Sequence, residues 1–520
     1  MASKRYPLGI QTFSEIVKGN YFYADKTAIV YQLAHYAKFH FLSRPRRFGK
    51  SLFVSTLQAY FEGKKELFKG LAIEQMEKEW TAYPVIHLDL SCGKYYSLEN
   101  TKIILNNILK VEEQKYGIEV PESEREGFGA RFRDILLAAT AQTGKQVVVL
   151  IDEYDAPMHD SVSDEDLQKT IRNIMRDFFS PMKQQEGNIR FVFITGISKF
   201  SQLSIFSELN NLKILTLKDE YSSCCGITKS ELSHYFREGI EEMAEHNELT
   251  YEETLQQLGQ HYDGYHFSMN SEDIFNPYSI INALDDKEFN NYWFTSGTPT
   301  FLIELMQQKN LDMLNLDDLW IQASRFDTPT ERLADPIPVL FQSGYLTIKG
   351  YEKKGKLYHI CFPNQEVRQG FSESLVRYYS AQDMNRYDAI VYAYSKNVLI
   401  NDDMGAFMPH LKAFYDKFPY TIINNNERHY QAVMFTIFTM LGEDVKVEYT
   451  TSDGRIDLVL KTEQSIFIFE LKYEKSAGTA MAQICGKDYA KAFADDRRKV
   501  VKVGVNFSED QRSIEDWVIG

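Results

Sequence analysis

Three charged residues near the C-terminus have the types and spacing that metal-assisted cleavage of phosphodiesters requires. Asp457 begins one apolar strand, and Glu470 and Lys472 lie on the next, within GRIDLVLKTEQSIFIFELKYEK. Carboxylate oxygens are the ligands that Mg²⁺ prefers, and a lysine can position or deprotonate the attacking water. The pattern therefore predicts a nuclease site that holds Mg²⁺, or Mn²⁺ in its place.

A β-hairpin is predicted to position these three side chains. Apolar and polar residues alternate on either side of a short polar turn at 461–464. Because side chains alternate between the faces of a strand, Glu470 and Lys472 share a face, and pairing would bring Asp457 beside them. A solvated ion pair is the alternative, but Glu470 follows the apolar run IFIF, where an unpaired charge is costly.

Two helices are predicted to flank the hairpin. The segment NNNERHYQAVMFTIFTMLG indicates an amphipathic helix that begins after asparagines suited to an N-cap and carries Glu427 in its first turn. The segment AMAQICGKDYAKAF indicates a second helix, with Gln483, Lys487 and Lys491 four residues apart on one face. Together these elements predict one coherent site.

These residues resemble the PD-(D/E)XK restriction-endonuclease-like superfamily, and more narrowly its bacterial branch fused to a predicted AAA-ATPase-like domain. The resemblance rests on Glu427 on a helix, Asp457 after GRI, the Glu470-Leu471-Lys472 tripeptide and Gln483 on the next helix. It implies that Asp457 and Glu470 bind the metal and that Lys472 is catalytic. It also implies that Glu427 supports the metal shell and that Gln483 assists. Ile456 stands where the superfamily pattern has a proline.

A second motif lies in the N-terminal half, in HFLSRPRRFGKSLFVSTLQAYF. An apolar strand runs into a loop that ends in Gly49, Lys50 and Ser51, and an apolar-periodic helix follows. In such a loop the backbone N–H groups face phosphate, the lysine reaches the terminal phosphates and the serine hydroxyl ligates Mg²⁺. The full Walker A pattern has a glycine at the position of Arg44, so the motif is weaker when taken alone.

The segment KQVVVLIDEYDAP supplies the matching Walker B pattern, a strongly apolar strand that ends in Asp152 and Glu153. Asp152 is expected to hold Mg²⁺, directly or through water, and Glu153 to orient or deprotonate the attacking water. A buried strand that ends in a solvated acidic turn is the alternative. With both motifs in order, the chain predicts ATP binding, and hydrolysis as a further expectation.

Further strands are predicted at 84–91, at IRFVFITG and at LKILTLKD. A strand that intervenes between the two motif strands is typical of ATPases with an added central strand. Thr195, at the end of the strand after Walker B, is the candidate sensor of the γ-phosphate, with Ser198 behind it. A threonine that only caps a strand end is the alternative.

Several stretches between 6 and 348 resemble the same AAA-ATPase-like family: YPLGIQTF, YADKT, RPRRFGKSLF, LIDEYDAP, TGISKFS, FSELNNL, YDGYHFS, SGTPTFL and FQSGYLTI. Members of that family commonly carry RPRRFGKS. Arg44, Arg46 and Arg47 would repel one another unless an anion is bound. They are expected to bind nucleotide phosphates, to donate charge to a neighbour or to contact nucleic acid. The residues expected to bind the nucleotide are Arg46, Arg47, Gly49, Lys50, Ser51, Leu52, Asp152 and Thr195.

The length of 520 residues predicts about three domains in an α/β multidomain chain. These are a P-loop domain with a parallel sheet (1–229), a helical lid with a small middle module (230–385) and a restriction-endonuclease-like α/β domain (386–520). Five cysteines without zinc-ligand spacing favour a reducing compartment. The chain has neither an apolar run of about 20 residues nor a signal peptide, so we expect a cytoplasmic protein without a membrane partner.

The net charge of −15 opposes binding to nucleic acid, because phosphate contacts normally use a basic surface. Near the predicted nuclease the local balance is positive, since basic residues outnumber acidic ones between 487 and 502. DNA or RNA is therefore the expected partner beside ATP, and a homo-oligomer is compatible with the sequence. A nucleotide-dependent switch or scaffold with an inactive nuclease fold, and a nucleic-acid remodeller without cleavage, are the alternatives.

Overall fold

The computed structural model describes residues 4–161, 164–197, 212–295, 313–316, 319–322, 325, 336–379, 384–416 and 426–520. The chain forms two compact units. The N-terminal unit comprises Met1–Tyr292 and Trp320–Asn364, and the C-terminal unit comprises Trp293–Leu319 and Gln365–Gly520. The sequence predicts three domains instead, with residues 230–385 as a separate middle region.

Packing explains why the middle region is divided between the two units. In the N-terminal unit, the ring of Phe236 lies 5.1 Å from that of Phe22, within a cluster that also includes Tyr6. In the C-terminal unit, the Gln369 Nε2 group donates to the Met440 carbonyl oxygen at 3.2 Å. Phe236 thus packs with its own N-terminal unit, and Gln369 is bonded within its own C-terminal unit.

A five-stranded parallel sheet lies at the centre of the N-terminal unit, in the order β2-β3-β4-β1-β5. Its strands are β1 (Phe39–Ser43), β2 (Val85–Asp89), β3 (Val147–Asp152), β4 (Ile189–Gly196) and β5 (Lys213–Ile214). All residues of β1 and β3 are buried, as expected for a parallel sheet covered on both faces. The strand inserted between the two motif strands is β4, whereas β2 lies at the edge.

Helices cover both faces of this sheet. Phe39 and Phe41 point into a core shared with helices Leu98–Tyr116, Phe128–Thr143 and Glu165–Phe179. On the opposite face, the ring of Phe193 lies 5.6 Å from that of Phe53 on the helix that follows the phosphate loop. The remaining described α-helices before 365 are Phe13–Lys18, Thr27–Tyr36, Lys50–Phe61, Ile73–Met76, Ala156–Asp160, Pro181–Gln184, Lys229–Tyr235, Arg237–His246, Tyr251–Tyr262, Pro277–Asp286, Tyr292–Thr295, Met313–Leu316 and Pro336–Ser343.

Two small sheets follow in the chain. One pairs β6 (Ile227–Thr228) with β7 (Ile274–Phe275) in antiparallel fashion. The other has the order β8-β10-β9, formed by β8 (Leu319–Gln322), β9 (Thr347–Glu352) and β10 (Leu357–Cys361).

A five-stranded mixed sheet forms the centre of the C-terminal unit, in the order β11-β12-β13-β14-β15. Its strands are β11 (Asp444–Thr450), β12 (Arg455–Lys461), β13 (Ser465–Tyr473), β14 (Lys499–Ser508) and β15 (Ser513–Ile519). Only β13 and β14 are parallel. The predicted hairpin is confirmed as β12 and β13, which pair up to Lys461 and Ile466 beside the turn.

The two helices that flank the hairpin differ from their predictions. Glu427–Met440 begins at Asn426, whose side chain caps the His429 N–H group at 2.8 Å, as predicted. However, every residue from 430 to 440 is buried, so the helix is enclosed on all sides rather than amphipathic. The prediction was wrong because its threonines are buried together with its apolar residues.

The second helix is Ala477–Gly486, which is shorter than predicted. Asp488 adopts a left-handed conformation (φ 44°), and Tyr489–Phe493 form a 3-10 helix. This break means that Gln483, Lys487 and Lys491 do not share a helical face. The other helices of this unit are Gln365–Tyr379, Met384–Tyr394, the π-helix Ser395–Ile400 and Met404–Tyr415. Within the described ranges, no helix has the length and apolarity needed to cross a membrane.

Candidate functional site

The β12–β13 hairpin opens at Asp457 and Glu470. The paired positions end with Leu458 and Phe469, directly beside the two acids. The Asp457 Oδ2 atom instead accepts a hydrogen bond of 2.7 Å from the Leu471 N–H group. The side chain of Asp457 is thereby directed across the opening toward β13, where Glu470 lies.

Glu470 and Lys472 form a buried ion pair on one face of β13, as the strand period predicts. The Lys472 Nζ group donates to Glu470 Oε1 at 2.8 Å and to the Leu471 carbonyl oxygen at 2.9 Å. The side chains of Glu470 and Lys472 are only 1% and 9% exposed. The second carboxylate oxygen, Glu470 Oε2, is buried and has no hydrogen-bond partner. A buried oxygen without a partner is costly, and a cation at this position would satisfy it.

Burial and repulsion raise the pKa values of both acids. Burial is the largest cause for Asp457, whose pKa rises to about 6, and the charges of Glu427 and Glu448 add to it. For Glu470, burial and then the charge of Asp457 raise the pKa to about 7. Burial lowers the pKa of Lys472, but its hydrogen bond to Glu470 and the nearby carboxylates outweigh this effect and raise it. The ammonium group therefore stays charged.

The candidate nuclease site offers two carboxylates, those of Asp457 and Glu470, rather than a full set of protein ligands for a metal ion. Within the described part of the chain, no three Asp, Glu, His or Cys side chains lie close enough to hold a metal ion by themselves. Glu427, half-buried in the first turn of its helix, acts on Asp457 and Glu470 through its charge. Mg²⁺ usually keeps several waters and uses one or two carboxylates, so Asp457 and Glu470 fit such an ion.

Gln431 and Glu448 belong to the same neighbourhood, and the sequence reasoning missed both. The Gln431 Nε2 group donates to Glu448 Oε1 at 3.0 Å and to the Asp457 carbonyl oxygen at 2.8 Å. Glu448 lies on β11 between Val447 and Tyr449, which pair with Leu458 and Ile456; it has a left-handed backbone (φ 53°) and forms an ion pair with Arg455. The available signal was Gln431 itself, an amide within an otherwise apolar run of helix.

Gln483 lies on the helix that covers the Glu470 face of the sheet. Gly504 is paired with Glu470, and a Cβ atom at Gly504 would meet the Ala477 carbonyl oxygen at 2.6 Å. Gln483 is half-buried there. Among the described contacts, none joins its side chain to Asp457, Glu470 or Lys472.

The phosphate-loop motif lies at the carboxyl end of β1, in the N-terminal unit. Gly49 has φ +88°, a conformation that glycine adopts without strain, and it precedes the helix Lys50–Phe61. Lys50 is buried, and its Nζ group donates to the carbonyl oxygens of Arg44 at 3.2 Å and Pro45 at 3.1 Å. It also forms an ion pair of 3.1 Å with Glu153. The structure thus brings the two motifs together.

Asp152 and Ser51 meet at the same edge of the sheet. The two side chains are hydrogen-bonded, which lowers the pKa of Asp152, but burial and the charge of Glu153 outweigh this and raise it to about 6. Asp89 is paired with Asp152 on the neighbouring strand and adds to the repulsion. Glu153 has a left-handed backbone (φ 49°), a strained conformation for a residue other than glycine.

Thr195 lies on β4, between the two motif strands. It is fully buried, and its Oγ1 atom has no hydrogen-bond partner. A buried hydroxyl group without a partner is consistent with a site in which a ligand or a water molecule forms the missing hydrogen bond. Ser198 lies outside the described residues, as do FSELNNL up to 211, SGTPTFL and part of TGISKFS.

Arg44 does not crowd the phosphate loop, contrary to the expectation. Its guanidinium group is buried and donates to the carbonyl oxygens of Ser43, Thr216 and Tyr221 at 2.9–3.0 Å. It also lies 4.2 Å from the ring centre of Phe267. The carbonyl oxygens attract the side chain away from the loop, so Arg44 holds neighbouring segments together.

Arg46 and Arg47 remain exposed at the loop. Arg47 has φ +66°, and its guanidinium carbon lies 5.1 Å from the ring centre of Tyr278. Leu52 and Gly49 line an apolar cleft beside the loop. The cleft is completed by aromatic and aliphatic side chains that include Phe22, Tyr23, Phe48, Phe53, Phe236 and Ile281.

Comparisons with known proteins match a family in each half of the chain. A family of predicted AAA-ATPases matches residues 7–206, and the PD-(D/E)XK nuclease superfamily matches residues 425–517. A protein of Azotobacter chroococcum mcd 1, described as an uncharacterized protein in the vnfD 5′ region, is 32% identical over 535 residues. That similarity covers 100% of this chain and 99% of the relative.

Proposed function

Because the chain belongs to the family that joins a predicted AAA-ATPase domain to a PD-(D/E)XK nuclease superfamily domain, we propose that it is an ATP-hydrolysing protein with a Mg²⁺-dependent nuclease acting on DNA or RNA. The observation that carries the nuclease proposal is the buried Glu470 carboxylate, with one oxygen held by Lys472 and the other unpartnered beside Asp457.

Each residue of the nuclease cluster has a chemical role in this proposal. Asp457 and Glu470 would hold Mg²⁺, with Glu427 supporting them through its charge. When bound, the ion polarises the phosphodiester and lowers the pKa of water. Lys472 remains an ammonium group beside Glu470 and orients the attacking water or stabilises the charge that develops on the phosphate. Gln483 is proposed to assist from the adjoining helix.

The nucleotide would bind at the phosphate loop of the N-terminal unit. Lys50 exchanges its contact with Glu153 for the terminal phosphates, which releases Glu153 to orient water. Ser51 and Asp152 would hold Mg²⁺. Thr195 would contact the γ-phosphate.

The rest of the nucleotide would lie along the cleft and the loop. The base would occupy the apolar cleft beside Leu52 and Gly49, which is lined by aromatic rings. Arg46 and Arg47, both exposed at the loop, would meet the phosphates.

The nuclease proposal is tested by incubating the full-length protein with single- and double-stranded DNA and RNA, with Mg²⁺, Mn²⁺ or EDTA. We expect metal-dependent cleavage that Asp457→Ala and Lys472→Ala each reduce by at least about 100-fold. The matched controls Asp453→Ala and Lys475→Ala change exposed residues nearby and should retain activity. Cleavage that survives Asp457→Ala would place the active site elsewhere.

The nucleotide proposal is tested by measuring ATP binding and turnover separately. Lys50→Ala should abolish binding, because the lysine is the cation that reaches the phosphates. Glu153→Gln should retain binding and reduce turnover by at least about 100-fold. Glu165→Gln, at an exposed acid that begins the helix Glu165–Phe179, serves as the control. Unchanged turnover in Glu153→Gln would refute the assignment, and binding without turnover in the wild type would favour the switch or scaffold.

A further inference from the structure

Two adjacent cysteines line the apolar cleft beside the phosphate loop. Cys224 and Cys225 are only 1% and 3% exposed, and both line the same cleft as Gly49 and Leu52. Each thiol group shifts the pKa of the other. The family motifs quoted from the sequence do not include them. Such a pair has two sulfur atoms within reach of one ligand or oxidant that enters the cleft.

Of the three cations near this pair, two have a carboxylate partner and the third has none among the described residues. Lys26 forms an ion pair of 2.6 Å with Glu231, and Lys50 forms one of 3.1 Å with Glu153. The guanidinium group of Arg44 donates to carbonyl oxygens, and no carboxylate of the described chain forms an ion pair with it. A buried charge is stable only when it is compensated. The thiol pair is the group near Arg44 that can supply a negative charge.

The electrostatics favour one thiolate and one thiol. Burial raises the pKa of Cys224, but the interaction with the Cys225 thiol and the charges of Arg44 and Lys26 outweigh it and lower the pKa to about 7. The interaction with Cys224, followed by burial, raises the pKa of Cys225. A thiolate beside a thiol is the state from which exchange with a disulfide begins.

The backbone joins the cysteine pair to the phosphate loop. The Gly226 N–H group, next to Cys225, donates to the Phe48 carbonyl oxygen at 3.1 Å. Gly226 has φ +91°, and a Cβ atom there would collide with Ile274, so this segment has little freedom to adjust. Phe48 directly precedes Gly49. A change in the geometry of the cysteine pair would therefore displace the loop.

We propose that Cys224 and Cys225 form a reversible modification site on the wall of the nucleotide cleft, which low-molecular-mass disulfides oxidise. The Cys224 thiolate attacks one sulfur of the small disulfide, breaking its S–S bond and releasing one small thiolate. The Cys225 thiol then loses its proton and attacks the Cys224 sulfur, releasing the second. Two protein thiols are oxidised to one disulfide, and the small disulfide is reduced to two thiols.

The product disulfide is strained, and this makes the site reversible. Adjacent Cα atoms are about 3.8 Å apart, whereas disulfides usually join Cα atoms about 4.4–6.8 Å apart. Strained disulfides have more oxidising potentials and are reduced readily. The ring contains the Cys224–Cys225 peptide and must distort it, one peptide before the Gly226 N–H group that bonds the loop, so we expect oxidation to weaken nucleotide binding. That last expectation rests on the proposed ATP site.

The chemistry is tested on the full-length protein with oxidised glutathione, followed by alkylation, trypsin and mass spectrometry. In the oxidised wild type, the peptide 219–229 should carry no alkyl group and should be lighter by two hydrogen atoms than the same peptide with two free thiols. Cys225→Ser should instead leave glutathione attached to Cys224, and Cys224→Ser should leave the peptide unmodified. The exposed Cys92 and Cys485 report that the oxidant is active. If they react while the peptide stays reduced, or carries only glutathione in the wild type, the proposal is overturned.

The link to the nucleotide is tested by measuring ATP affinity before and after oxidation. The oxidised wild type should bind ATP at least about tenfold more weakly, and a reductant should restore the affinity. The Cys224→Ser/Cys225→Ser double variant should be insensitive, whereas Cys92→Ser/Cys485→Ser should respond as the wild type does. Unchanged affinity with the pair oxidised would overturn the link. If the reduced protein does not bind ATP, the proposed function fails while the mass measurement still decides the chemistry.

Discussion

At the scale of single residues, the nuclease cluster differs from an ordinary ion pair in its unused oxygen. Lys472 engages one oxygen of Glu470, and the other is buried without a partner. The hydrogen bond between Asp457 and the Leu471 N–H group occupies only one oxygen of that acid. Each acid therefore retains an oxygen for a ligand, and burial makes such a ligand electrostatically favourable.

The raised pKa values predict that metal affinity increases with pH. The pKa of Asp457 is about 6 and that of Glu470 about 7, so both acids are largely protonated below about pH 5, largely ionised above about pH 8, and titrate between these values. Because carboxylates must lose their protons to ligate a metal, Mn²⁺ affinity should rise by up to about tenfold per pH unit between pH 6 and 7.5. Titration calorimetry should detect proton release at pH 6 and almost none at pH 8.

The control for this titration prevents metal binding at the proposed nucleotide site. Asp152 is a second buried acid, and burial raises its pKa to about 6 as well, so the measurement belongs in an Asp152→Asn background. Asp457→Asn in that background should remove the pH-dependent binding. Affinity that does not vary with pH would contradict the proposed ligands.

The placement of charged residues in an apolar strand could be predicted from the sequence, whereas their roles stay predictions. Glu470 and Lys472 could be placed on one face because the strand period is regular. Gln431 was detectable as an amide within an apolar run of helix, but its contact with Glu448 was not, because that contact depends on a left-handed position in β11 and on tertiary packing. Arg44 was misplaced for a similar reason, since the carbonyl oxygens of Thr216 and Tyr221 that it meets lie more than 170 residues away in sequence.

At the scale of elements, Gly504 sets how closely the helix Ala477–Gly486 approaches the sheet beside Glu470. Gly504→Ala would place a Cβ atom 2.6 Å from the Ala477 carbonyl oxygen and 2.8 Å from the Met481 N atom. Both are backbone atoms that cannot rotate away. We expect a loss of about 1–3 kcal/mol in the free energy of unfolding, measured by urea denaturation, and weaker cleavage.

Gly486→Ala is the matched control, at the end of the same helix. No atom lies within 4 Å of the Cβ position there, and alanine is favoured over glycine in helices by up to about 1 kcal/mol. Stability should be unchanged or slightly higher. Equal stabilities of the two variants would show that the helix can move away from the sheet without cost.

The strands were easier to predict from the sequence than the ends of the helices. Alternation and apolar runs located β1, β3, β12 and β13 because burial on one or both faces fixes their register. The helix predicted to continue to 493 ends at Gly486 instead, because Asp488 takes a left-handed conformation. That local conformation leaves no periodic signal in the sequence.

At the scale of the whole molecule, the two units have separate sheets and separate candidate sites. The family matches at 7–206 and 425–517 fall in different units. The two proposed activities can therefore be tested separately by substitution. Whether ATP gates cleavage is then measurable as the effect of Glu153→Gln on nuclease activity.

Nucleotide should stabilise the protein by mass action. At an ATP concentration of about 100 times Kd, the gain is about 2.7 kcal/mol if only the folded state binds. Thermal denaturation with Mg²⁺ and ATP should show this gain in the wild type and in Lys65→Ala, an exposed lysine near the loop helix. Lys50→Ala should show none. A shift that persists in Lys50→Ala would mean that ATP binds elsewhere.

The central claim is that Asp457 and Glu470 together hold a divalent ion beside Lys472, and a crystal soaked in Mn²⁺ tests it most directly. Anomalous diffraction should show a peak within about 2.0–2.4 Å of a carboxylate oxygen from each acid, and Asp457→Asn should abolish it. A wild-type crystal in which these two acids carry no anomalous peak, while Mn²⁺ occupies other sites, would contradict the claim.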